Sequence, residues 1–128
     1  MAHLLGTTRH RFDDKWRVVL PSSHREVIGG TLYFAPGDQG QVVLFPEPAF
    51  LERMALKSAR QQHGDEGMRD YLTFTRRANR TQLDGQGRVV LPDPFRPVMT
   101  QDVVIVGAGD RLELWPSDRF ADFFGEDA

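Results

Sequence analysis

The chain contains an internal repeat. Residues 13–21, Asp-Asp-Lys-Trp-Arg-Val-Val-Leu-Pro, recur 71 positions later as residues 84–92, Asp-Gly-Gln-Gly-Arg-Val-Val-Leu-Pro, with six of nine positions identical. The correspondence continues through Arg25 and Arg96 and through Val27 and Val98. It returns at an offset of 70 as Leu44-Phe45-Pro46 against Leu114-Trp115-Pro116, then Phe50 against Phe120. A duplicated unit this short cannot bury enough apolar surface by itself, so the two copies must pack into one core. We therefore divide the 128 residues into a first repeat over 4–50, a helical connector over 51–78 and a second repeat over 79–124.

Each copy carries the same run of local signals. Residues 7–12 and 17–20 are short strand candidates joined by a polar turn, and β-branched residues suit a pleated surface. In the second copy the turn is Asp84-Gly85-Gln86-Gly87, whose glycines permit the positive φ of a tight turn. Leu-Pro closes the strand in both copies. A cap-like residue and a short helical turn follow, Ser22-Ser23-His24-Arg25-Glu26 in one and Asp93-Pro94-Phe95-Arg96 in the other. Residues 32–35 with 42–45, and 103–106 with 111–115, read as hairpins around Gly-rich turns. Residues 48–60 and 117–124 have helical spacing, with Ser117 as N-cap, and a joining helix is expected over 68–78 after a flexible 64–67. These signals predict an α+β, β-rich fold in which intertwined hairpins of two pseudo-symmetric halves close a small barrel with peripheral helices.

The formal net charge of −2 is a cancellation. Residues 1–25 hold five Lys or Arg against two Asp, and residues 69–96 hold six Arg against three Asp, so each segment with the repeated turn carries +3. The intervening segment, 26–68, carries −3 and the C-terminal one, 97–128, carries −5. Arg outnumbers Lys by 14 to 2. A planar guanidinium binds phosphate bidentately and pairs with guanine O6 and N7, so an Arg-rich turn suits DNA. The other reading of Asp13 with Arg17, and of Asp84 with Arg88, is a structural ion pair inside each turn.

The Asp-x-Lys-x-Arg turn followed by Val-Val-Leu-Pro resembles the MraZ family. So do its second copy Leu83-Asp84-Gly85-Gln86-Gly87-Arg88, the run Val-Gly-Ala-Gly-Asp-Arg-Leu-Glu-Leu-Trp over 106–115 and the opening Leu5-Gly6. The resemblance implies two AbrB-like swapped-hairpin half-domains and a ring-shaped homo-oligomer. It implies a bacterial, cytoplasmic and nucleoid-associated transcriptional regulator. Such a protein binds short direct repeats of double-stranded DNA upstream of the division and cell-wall gene cluster, including its own promoter. It assigns the DNA-facing turns to Asp13, Lys15 and Arg17 and to Asp84 and Arg88. From charge position we add Arg9, Arg11, Arg80 and Arg96 as phosphate contacts.

Two departures from the family pattern bear on function. Trp16 stands where Gly is usual, and packing of its indole on a neighbour is favoured over contact with a sugar. Gln86 stands where Lys is frequent, which leaves the second turn one charge short and predicts unequal halves. The C-terminal tail of some relatives is expected to be absent.

Other chemistries fit less well. Absence of Cys excludes thiolate metal sites and a Cys nucleophile. His3, His10, His24 and His63 have no metal-ligand spacing, and no metal or other cofactor is expected. Residues 103–109 imitate a dinucleotide-binding strand and turn, but Leu112 occupies the third small position and the following text is strand-like. Asp13, Ser22, Ser23 and His24 supply triad residue types without a nucleophile elbow, so no enzyme and no small-molecule substrate is expected. No apolar run approaches the ~20 residues of a membrane span, and residues 1–6 lack a signal-peptide apolar region. The alternative function is an antitoxin-like or scaffold protein that grips a protein partner.

Overall fold

A computed structural model describes residues 3–125. Its elements run β1 (Thr7–Arg11), β2 (Arg17–Val19), α1 (Ser22–Arg25), β3 (Leu32–Pro36), β4 (Val42–Pro46) and α2 (Glu47–Arg60). A 3-10 turn at Gln61–His63 leads to α3 (Asp65–Thr75), β5 (Asn79–Thr81), β6 (Arg88–Val90) and a 3-10 helix at Asp93–Val98. The chain then completes β7 (Asp102–Gly107), β8 (Leu112–Pro116) and α4 (Ser117–Phe124).

The expected hairpins form where turn chemistry is local: β3 with β4 and β7 with β8, both antiparallel. The pairing of β7 with β8 removes the dinucleotide reading, because the strand after the glycines folds straight back. The other strands are exchanged between copies. β1 pairs with β7 of the second copy, and β5 pairs with β3 of the first. β4 joins β8 at the middle of a six-stranded sheet of order β1-β7-β8-β4-β3-β5, while β2 and β6 form a separate two-stranded ribbon. A pseudo-twofold passes through both joints. Val18 faces its own counterpart Val89 in the ribbon, and Val43 faces its counterpart Glu113 in the sheet.

The expected small barrel does not close. β1 and β5 each pair on one side only and remain sheet edges, because β2 and β6, the strands next to them in sequence, pair with each other instead. The ribbon covers one face of the sheet rather than bridging its edges.

Burial on both faces of the sheet explains the near-continuous apolar strands. Leu32, Phe34, Val42, Leu44, Val103, Ile105, Leu112 and Leu114 point to the ribbon side, into a core shared with Phe12, Val18, Leu20, Ile28, Val89, Leu91 and Phe95. The alternate residues Ala35, Val43 and Phe45 point to the other side and pack on Phe50 of α2 and Phe74 of α3. Val104 and Trp115 do the same against Phe120 of α4. Phe50 and Phe120, matched in the sequence, thus serve corresponding places in the two outer clusters.

Four helix starts differ from expectation. Ser22 and Asp93, expected as caps, are the first residues of α1 and of the second 3-10 helix, where Pro21 and Pro92 hold the cap positions and neither side chain makes a capping bond. α3 begins at Asp65, so the segment expected to be flexible contributes its first turn, and Gly67 sits where a β-carbon would strike the Arg60 carbonyl. Ser117 is the first residue of α4 rather than its cap, and its backbone N–H donates to Oγ1 of Thr100 at 3.2 Å. A side chain from outside the helix therefore meets an orphan donor there.

Candidate nucleic-acid interface

The β2–β6 ribbon displays the repeated motif. Period-2 alternation turns Val18 and Val89 into the core and turns Arg17, Val19, Arg88 and Val90 outward. Val19 and Val90 are 48% and 44% exposed, and across the ribbon Arg17 faces Val90 while Val19 faces Arg88. The outer surface of the ribbon is therefore a diagonal pair of arginines separated by two bare valines.

Each arginine is held by the aspartate four residues before it. Asp13 Oδ1 accepts the backbone N–H groups of Lys15 and Arg17, both at 2.9 Å, and Oδ2 accepts Arg17 Nε at 2.7 Å. Asp84 repeats the pattern with Gln86 N, Arg88 N and Arg88 Nε at 2.9, 3.0 and 2.8 Å. Backbone bonds close the same turn in both copies, Trp16 N to Asp13 O and Gly87 N to Asp84 O, each 3.0 Å. The structural ion pair considered from sequence is thus real in both turns. Its effect is to fix the guanidinium through Nε, and no partner for Nη1 or Nη2 of Arg17 or Arg88 is found among the described residues.

The same bonds set the acidity of the aspartates. The backbone N–H of Arg17, helped by its guanidinium and by Lys15 N–H, holds the Asp13 carboxyl at about 2. Asp84 is lowered from its ordinary value by the backbone N–H of Arg88 first, then by its guanidinium and by Gln86 N–H. Both aspartates are ionised at neutral pH, so each clamp is set.

The remaining basic residues named from sequence scatter. Lys15 is exposed on the first turn. Arg9 and Arg80 occupy corresponding positions on β1 and β5, on the helix side of the large sheet, away from the ribbon. Arg9 lies over the Phe120 ring and Arg80 over the Tyr33 ring, at 5.8 and 5.9 Å. Arg11 bonds Asp102 and Gln101, both at 2.9 Å. Arg96 is folded onto its own segment, with Nε on Leu91 O at 2.9 Å and Nη1 on Asp93 at 2.7 Å.

Trp16 adopts φ 58°, alone among the described non-glycine residues in having positive φ, and its indole packs on Phe12 with centroids 5.4 Å apart. Packing on a neighbour, the favoured sequence reading, is the arrangement found. Arg25 is the basic residue that the sequence reading left out of the site. Its side chain crosses to the second turn and lies against Gly87. Its match to Arg96 at the repeat offset was the available signal.

No helix of the described residues is long and apolar enough to cross a membrane.

Comparison with known proteins agrees with the sequence resemblance. Residues 74–128 match the family described as "MraZ protein, putative antitoxin-like". The chain is 34% identical over 125 residues to a protein of Saccharopolyspora erythraea named transcriptional regulator MraZ, covering 95% of this chain and 87% of that one. A Bifidobacterium longum protein of the same name is 36% identical over 126 residues, covering 96% and 83%. One from Thermobifida fusca is 33% identical over 125 residues, covering 95% and 87%.

Proposed function

The chain belongs to the MraZ family, whose relatives above are named transcriptional regulators, and from that premise we propose that it regulates transcription by binding double-stranded DNA through the β2–β6 ribbon. The observation that carries this reading is the pair of outward arginines, Arg17 and Arg88, each fixed by two hydrogen bonds to its own aspartate, one from its backbone N–H and one from Nε. A two-stranded ribbon fits the major groove, where a fixed guanidinium can pair with guanine. Asp13 and Asp84 act as positioning residues. Lys15 supplies a phosphate contact beside the first turn. The guanidiniums of Arg9 and Arg80 sit over aromatic rings on the opposite face and hold the outer clusters, while Arg11 and Arg96 are engaged locally.

A single protomer offers few cations, so its affinity is weak. Self-association into a ring would place several ribbons on successive short repeats and multiply their effect through effective concentration. The natural target is the DNA upstream of the division and cell-wall genes, including the protein's own promoter, in the cytoplasm at the nucleoid. No catalytic role is assigned.

Fluorescence anisotropy with the DNA upstream of the protein's own gene, against scrambled DNA of equal length and across salt, tests this. Preferential binding of the upstream DNA supports it. Equal affinity reduces the reading to non-specific binding, and no binding at low salt favours a protein partner.

A further inference from the structure

The two turns are alike in backbone and unlike in what lies against them. At the end of the ribbon Leu20 N bonds Gly87 O at 3.0 Å, and its mirror bond, Leu91 N to Trp16 O, is 2.9 Å. The pseudo-twofold therefore relates Arg25 against Gly87 to Arg96 against Trp16. Only the first of these encounters takes place.

Gly87 has φ 76° and no side chain, and Arg25 fills the opening. A β-carbon built on Gly87 would come 2.6 Å from Nη1 and 2.9 Å from Nε of Arg25. At the corresponding place Trp16 occupies the space with its indole, and Arg96 turns back to Leu91 O and Asp93. A second difference reinforces the first. Asp93 corresponds to Ser22, so the second copy offers Arg96 an anion that the first copy does not offer Arg25. Arg25 is exposed, and its side chain has no hydrogen-bond or ion-pair partner among the described residues.

The turns also differ at one charged position, where Lys15 of the first corresponds to Gln86 of the second. We infer that Arg25 is a DNA-phosphate ligand of the second turn, supplied across the pseudo-twofold by the first copy in place of the cation missing at Gln86. The ribbon then ends in two cations on each side: Lys15 with Arg17 at one turn, Arg25 with Arg88 at the other. Phosphate rather than a base is the ligand, because no carboxylate fixes the Arg25 fork as Asp13 and Asp84 fix Arg17 and Arg88. A cation that no carboxylate orients positions a duplex without reading it. The inequality of the halves inferred from Gln86 is thereby compensated in charge, though not in chemistry.

This inference rests on DNA binding by the ribbon, so the test separates the two. Anisotropy titrations against the upstream DNA across salt would compare the unmutated chain with Arg88→Ala, Arg25→Ala, Arg96→Ala and the pair Arg25→Ala with Gln86→Lys. Circular dichroism melts would confirm folding, which the exposure of Arg25 favours. Arg25→Ala is expected to weaken binding roughly tenfold, as for loss of a charged hydrogen bond, and to lower the salt slope by about 0.9. Arg96→Ala leaves both unchanged, and Gln86→Lys restores the slope in the Arg25→Ala background. If Arg88→Ala weakens binding while Arg25→Ala matches the unmutated chain, the role of Arg25 is overturned and the ribbon reading stands. An equal loss in Arg96→Ala also overturns it. Absence of DNA binding by the unmutated chain overturns the ribbon reading and this inference together.

Discussion

Removing both clamped arginines, Arg17→Ala with Arg88→Ala, should halve the salt dependence of DNA binding. The ribbon and its turns present four cations per protomer to a duplex: Lys15, Arg17, Arg25 and Arg88. A cation lodged in the groove against a guanine neutralises the flanking phosphates as one bonded to a phosphate does, so each of the four contributes about −0.9 to the slope of log affinity against log salt, and together about −3.6. Between 50 and 200 mM salt that slope weakens binding roughly 150-fold per engaged protomer. With two cations left, the slope falls to about −1.8 and the loss over the same range to roughly 12-fold. The ratio of one half does not depend on how many protomers engage, because each loses the same two groups. Anisotropy titration at four or five salt concentrations reads the slope directly, and Arg9→Ala with Arg80→Ala is the matched control. Those two arginines carry equal charge but lie over Phe120 and Tyr33 on the other face of the sheet. An unchanged slope in the ribbon variant, or an equal drop in the control, would refute the placement of DNA on the ribbon.

Three further outcomes follow from the geometry. Asp84→Asn removes a negative charge from the DNA-facing side, yet it should weaken binding, since Arg88 loses the acceptor that orients it; tighter binding in anisotropy would show that bulk charge outweighs positioning. Leu44→Ala, at the fully buried joint where β4 meets Leu112 of β8, should cost about 3 kcal/mol and lower the melting temperature by about 10 °C, a loss that calorimetry would detect. Burial lowers the His24 pKa from 6.5, and burial with the nearby His24 lowers that of His10, so the folded state resists protonating both. Their contribution to stability is complete above the unfolded value and is lost as pH falls below it towards the folded values, whereas Asp13 and Asp84 weaken the fold only below about pH 4. Thermal melts should therefore decline from pH 7.5 to pH 5, and His24→Phe, which copies the matched Phe95, should flatten that decline.

The repeat, the local hairpins and the Arg-bearing turns were all legible in the residues. Period-2 patterning states which side chains share a face, and local turn chemistry states which neighbouring strands fold back. Neither names a distant partner. The pairing of β1 with β7 and of β5 with β3 was therefore outside the reach of local signals, as was the failure of the sheet to close. The same limit left open which face Arg9 and Arg80 would occupy. Their charge was visible, but the face they occupy depends on strands far from them in sequence.

What the amino-acid order determined by itself was the duplication and, within each copy, a four-residue spacing from Asp to Arg that closes a turn through bonds its own backbone supplies. Such contacts are local, so they survive any choice of partner strand. Tertiary structure alone decided how the copies exchange strands, and with it that Arg25 of one copy reaches the turn of the other while Trp16 denies Arg96 the same place. Those outcomes depend on which surfaces meet across the pseudo-twofold, and that is set by burying two incomplete apolar faces in a single core.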